Sequence, residues 1–204
     1  MISLRHRFLF VHIPKTAGNS IQNILKDYSE DRIVASGNQD GVERFEVRSE
    51  GRSLEKHSTL AEYYSELGAE VADGLFKFAV VRNPWDRLIS FYFSPHRRET
   101  SWSPRKFRKF VEHDVRPLTS YFELENNRGA SPFENVDALI RFENLGAEFD
   151  EVCEKIGIPK AELPVRNRSD RGRPNEYYDA DLSKWVGERF AEEIEFFGWT
   201  PPVA

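Results

Sequence analysis

Two turns in this sequence carry residues of the kinds that hold anions, and a third segment carries a histidine placed to move a proton. The first turn, His12-Ile13-Pro14-Lys15-Thr16-Ala17-Gly18-Asn19-Ser20, separates a continuous apolar run from an amphipathic stretch. Backbone N–H groups at a helix start converge on an anion, and the helix dipole favours negative charge there. Lys15 adds a full positive charge, and Thr16 and Ser20 supply hydroxyl donors. That is the composition of a phosphate cradle, although an ordinary tight turn is the alternative. It is not the Gly-Lys-Ser/Thr loop of nucleoside triphosphate enzymes, because Lys15 comes before the one glycine in the turn, Gly18. The second turn follows a second buried strand, Phe76 to Val81, and begins Arg82-Asn83-Pro84. Arg82 offers a bidentate fork to a phosphate, and Asn83 and Pro84 are an N-cap and a first helical residue. A surface ion pair for Arg82 and a core-facing Ser90 are the competing readings.

His57 lies in Lys56-His57-Ser58-Thr59, directly before a capping box formed by Thr59 and Glu62. The positive helix end disfavours a charged imidazole there, and a neutral imidazole can accept a proton. A histidine that only helps to cap the helix is the alternative. His12 ends a buried strand, where a histidine is more often packed than catalytic; it is the next candidate for a base. His96 and His113 stand in polar surroundings and read as solvated. No His or Cys pair has zinc spacing, so no metal is expected. Arg166, Arg168, Arg171 and Arg173, with Asn167 and Ser169 between them, form a basic loop of the kind that covers a ligand or simply meets solvent.

The elements that must position these residues follow from periodicity. Phe8 to Ile13 and Phe76 to Val81 read as strands buried on both faces of a parallel sheet, and Val136 to Phe142 as a third strand. Ile21, Ile24, Leu25 and Tyr28 trace one helical face, and Leu60, Tyr63, Tyr64 and Leu67 another that Gly68 stops. Ser103-Pro104 starts a helix burying Phe107, Phe110 and Val111 under a solvated basic face, and Phe149, Val152, Cys153 and Ile156 mark a further helix. A last helix runs from about Leu182 to Phe197, and 31 to 51 has room for a short hairpin. Alternation of strands and helices predicts an α/β sandwich with a mostly parallel sheet.

The chain has 204 residues, 39% hydrophobic and 13% aromatic, enough for one domain with a real core and too apolar for disorder. One cysteine, Cys153, excludes an intrachain disulfide and points to a reducing compartment. Its longest apolar runs fall far short of the ~20 residues that cross a bilayer, and no signal peptide is evident, so a cytoplasmic protein without membrane insertion is expected. A net charge of −5 gives no general attraction to nucleic acid.

FLFVHIPKTAGNSI resembles the 5′-phosphosulfate loop of the sulfotransferases that use 3′-phosphoadenosine 5′-phosphosulfate (PAPS), in particular the carbohydrate group, and FAVVRNPWDRLISFY resembles the same family's 3′-phosphate motif. Weaker likeness at Leu139 to Leu145, at Asn167-Arg168-Ser169 leading to Tyr177-Tyr178 and at Ile194 to Trp199 carries it over nearly the whole chain. The resemblance implies one sulfotransferase domain over 1–204, a three-layer sandwich akin to the P-loop NTPases. It implies PAPS as donor, 3′-phosphoadenosine 5′-phosphate (PAP) as product and a hydroxyl acceptor, most simply a carbohydrate. Lys15, Thr16, Ala17, Gly18, Asn19 and Ser20 would hold the 5′-phosphosulfate, Arg82 and Ser90 the 3′-phosphate, and Arg168 and Ser169 would touch the nucleotide. Lys15 and His57 would be catalytic, with a histidine in the His57 segment acting as base. Asn19 stands where the family more often has threonine, exchanging a hydroxyl for an amide donor. The lack of the N-terminal anchor of the Golgi members suggests a soluble bacterial one. A small-molecule or nucleoside kinase on a related fold is the runner-up, against which stands the missing Gly-Lys-Ser/Thr triplet. A non-catalytic nucleotide- or glycan-binding module is the third reading.

Overall fold

The computed structural model describes residues 1–39, 42–48, 53–94, 97, 101–164 and 172–202, with 32–39 and 42–48 as backbone. Its contacts divide the chain into two compact units, Met1–Val81 with Thr119–Asn167 and Arg82–Leu118 with Arg168–Ala204.

The first unit is built on a four-stranded sheet in the order β1 (Ile2–Ser3), β2 (Phe8–Val11), β5 (Phe76–Val81), β6 (Ala138–Arg141). β2, β5 and β6 run parallel, with Phe10 opposite Phe78 and Val80 opposite Ile140. Short β1 adds antiparallel to β2. Every residue of β2 is buried, and all of β5 except half-buried Phe76, as in a parallel sheet covered on both faces, with Lys77 the one charged residue in either strand. On one face Phe8, Phe10, Phe78, Val80 and Ile140 meet α1 (Gly18–Leu25) through Ile21 and Leu25, and α6 (Leu145–Ile156) through Phe149, Val152 and Cys153. The lone cysteine is core, and burial pushes its thiol up to about 11.

Between β2 and β5 the chain forms an antiparallel hairpin, β3 (Arg32–Gln39) with β4 (Val42–Arg48), longer than the short one anticipated. Then come α2 (Leu60–Leu67) and α3 (Ala69–Asp73). The capping box read from Thr59 and Glu62 is formed, and Gly68, at φ 79°, ends α2 as expected. Buried Lys77 on β5 was not foreseen as a structural residue. Its ammonium donates to the carbonyls of Leu75 at 2.7 Å and Ala72 at 3.0 Å, at the carboxyl end of α3, and lies 3.6 Å from Asp137. The strand expected over 136–142 is shorter, because 3₁₀ turns at Pro132–Asn135 and Phe142–Asn144 flank it.

The second unit packs α4 (Pro84–Tyr92), α5 (Pro104–Asp114), α7 (Ala180–Arg189) and α8 (Ala191–Phe197) around Trp85, Leu88, Tyr92, Phe107, Phe110, Leu182, Val186 and Phe190. Asn83 caps α4 by accepting the Trp85 N–H at 3.1 Å, and Ser103 caps α5. On the basic face of α5, Arg108 stacks its guanidinium over Trp185, 4.8 Å from the ring centroid. The single last helix expected over 182–197 is instead two, broken at Phe190 (φ −115°, ψ 27°). Tertiary contacts override the periodicity: the Phe190 ring is buried, and buried Glu193 on α8 accepts the Leu118 N–H at 2.6 Å. No helix among the described residues is long and apolar enough to cross a membrane.

Candidate active site

Residues 12–17 leave the carboxyl end of β2 and enter α1. Lys15 and Ala17 both sit at positive φ, 68° and 71°, a conformation that costs a residue with a side chain energy unless its surroundings enforce it. One enforcing contact is the buried Thr16 hydroxyl, which donates to the Ile13 carbonyl at 2.9 Å. That hydroxyl therefore serves the turn itself, and what Thr16 can still offer an anion is its backbone N–H. Alternation of left-handed with other conformations turns successive N–H groups toward one side, the geometry of an anion nest. Ala17 occupies the N-cap of α1 without any side-chain hydrogen bond to the helix start. The leading N–H groups of the helix and its dipole thus face the turn. Lys15 and Asn19 are half-buried and Ser20 is buried. Asn19 Oδ1 is buried without a hydrogen-bond partner.

His12 and His57 meet beside this turn, with ring centroids 4.6 Å apart and planes at 64°. His57 is exposed, and its Nδ1 lies 2.8 Å from the His12 carbonyl oxygen. A carbonyl can only accept, so Nδ1 carries the proton and Nε2 is the ring nitrogen with the lone pair. His12 is 3% exposed. Burial above all, then the charges of His57, Lys56 and the N-terminal amine, holds it well below the ordinary histidine value, and Gln22 on α1 opposes this weakly. His12 is therefore a neutral, packed ring, as the burial reading of its strand end anticipated. Gln22 occupies a position periodicity does not mark as polar core, and no signal in the sequence could have found it.

In the second unit Arg82 is buried beside α4. Its Nε donates to Asp86 Oδ2 at 2.7 Å and its Nη2 makes a second contact with the same carboxylate. Asp86 was missed as a partner, although its spacing of four from Arg82 on a helix start was visible. Ser90 lies one turn beyond Asp86 on α4 and is buried. Also buried on α4, Arg87 donates from Nη2 to the Arg116 carbonyl at 3.0 Å. Glu193, set against the Arg87 charge, is pushed up to about 7, with burial the main cause.

Other candidates fall elsewhere. Arg166, Arg168, Ser169 and Arg171 lie outside the described residues, as does His96. His113 is exposed on α5. Among the larger aromatic side chains, Trp85, Tyr121 and Phe122 are core and Trp102 is half-buried.

The chain belongs to the sulfotransferase family, whose model matches residues 1–199. Sulfuryl transfer is therefore its general chemistry. A relative from Archaeoglobus fulgidus, an uncharacterized protein, is 30% identical over 106 residues, which are 50% of this chain and 83% of that one. No solved structure matches the chain.

Proposed function

We propose that the protein moves a sulfuryl group from PAPS to a hydroxyl acceptor, a carbohydrate, with its two units serving as one domain on a sandwich akin to the P-loop NTPases. The observation that carries the reading is the turn after β2. There Lys15 and Ala17, both left-handed, meet a helix start that no side chain caps, with the His57 ring tethered beside them through Nδ1. In this reading residues 15–20 hold the 5′-phosphosulfate. The Lys15 ammonium neutralises the bridging oxygen as the S–O bond to the phosphate breaks. His57 Nε2 takes the proton from the acceptor hydroxyl as its oxygen bonds to sulfur, and PAP leaves. Arg82 and Ser90 take the 3′-phosphate, Arg82 exchanging part of its hold on Asp86 for it, and Arg168 and Ser169 touch the nucleotide.

PAP without added metal should raise the melting temperature, whereas a kinase would respond to adenosine triphosphate with magnesium. With labelled PAPS and a panel of carbohydrate, lipid and phenolic acceptors, Lys15→Ala and His57→Ala should each lower kcat by about 100-fold or more. Either variant turning over at the wild-type rate removes that residue from the mechanism.

A further inference from the structure

We propose that His12 is a positioning residue: its imidazole is the wedge against which both Gly18, at the start of α1, and the ring of His57 are set, so that the donor turn and the base keep one register. The inference rests on the roles proposed above for that turn and for His57. Gly18 is not at positive φ, so backbone freedom does not explain why a glycine stands there. Space does. A Cβ at this position would fall 1.8 Å from His12 Cδ2 and 2.0 Å from Nε2, well inside any real contact distance. The first residue of α1 therefore rests with its backbone directly on the edge of the His12 ring.

The ring itself has little room to yield. It stacks on Phe10 with centroids 5.8 Å apart and planes at 20°, and Phe10 packs in turn on Phe78 at 5.1 Å. Gln22, one turn after Gly18 on α1, is buried beside it. Toward His57 the same residue acts twice, its ring edge-on against the imidazole and its carbonyl fixing the Nδ1 proton. A displacement of the helix start must therefore be passed to His57 through one rigid aromatic body.

The test compares Gly18→Ala, His12→Ala and the double variant with the wild type. ¹⁵N chemical shifts of the His57 ring report its tautomer, alongside melting temperature and PAP affinity. In Gly18→Ala the added methyl collides with the imidazole. The His57 signals should shift and PAP affinity should fall about tenfold or more, the scale of overpacking a tight site. In His12→Ala the helix start keeps its glycine while His57 loses its wall, and its signals should move toward a mixture of tautomers. In the double variant the methyl occupies space the imidazole vacated. It should melt above Gly18→Ala while His57 stays displaced. His57 signals that match the wild type in His12→Ala would overturn the proposal, showing that the backbone carbonyl alone sets the ring. So would a double variant no more stable than Gly18→Ala, and if that single variant does not fold, His12→Ala and the double variant still decide. A wild type that does not bind PAP would remove the donor reading, while the His57 spectra would still settle the positioning.

Discussion

Replacing Glu193 by glutamine should change how stability depends on pH more than it changes stability itself. The carboxyl is buried on α8, where it accepts the Leu118 N–H and lies within reach of the Arg87 charge, with Glu192 adding a weaker repulsion. Desolvation outweighs the cation and the hydrogen bond, raising the group from 4.5 to about 7. A raised folded value means that the native state holds the proton more tightly than the unfolded chain. The resulting stability is present in full below about 4.5 and is lost as pH rises through about 7. At about 1.4 kcal/mol per unit, the loss across that window is about 3 kcal/mol. The N-terminal amine, lowered to about 6, and His12, also lowered, act with the opposite sign and add stability as pH rises. Both remain in the variant, so the difference between the two proteins isolates the carboxyl. Urea unfolding of wild type and Glu193→Gln at half-unit steps from pH 4.5 to 8 should show the variant gaining about 3 kcal/mol on the wild type, with unchanged m. Parallel curves would show that the carboxyl titrates as it does in the unfolded chain, and the account of its burial would fail.

Two further outcomes follow from named contacts. Arg82→Ala should weaken PAP by about 1.5 to 3 kcal/mol in titration calorimetry and leave adenosine 5′-phosphosulfate, which lacks the 3′-phosphate, nearly unchanged; equal losses would point to damage of the α4 start instead. Lys77→Met removes the donor shared by the Ala72 and Leu75 carbonyls. It should cost about 1 to 3 kcal/mol in urea unfolding, and a stability equal to the wild type would show that water replaces the ammonium there.

Elements fixed by local chemistry were legible in the sequence. The Thr59–Glu62 box and the Asn83 and Ser103 caps follow from interactions within a few residues and appear where expected, and the unbroken apolar run of β2 marks a buried strand. What escaped depends on contacts distant in the chain. The break at Phe190 accompanies the reach of Glu193 to Leu118, 75 residues away. Nothing in the sequence of the buried strand shows that Lys77 is held by carbonyls at the carboxyl end of α3. The candidate site divides in the same way. Residue types in the two turns suggest the anion-binding roles proposed here, but the reason for Gly18 lay in the His12 ring, and the tautomer of His57 in a carbonyl 45 residues upstream.

Left-handed Ala17 has a thermodynamic consequence for the anion site proposed here. Glycine at that position would relieve about 1 kcal/mol of backbone strain in the native protein. It would also widen the range of shapes open to the empty turn. With alanine, the turn is ordered when the chain folds, and an arriving anion has little left to organise. With glycine, part of that ordering would be deferred to the moment of binding and charged against affinity. Thermal resistance and nucleotide retention would then move in opposite directions at a single position, and sequence changes that harden the fold elsewhere would leave this turn as the place where the two demands compete.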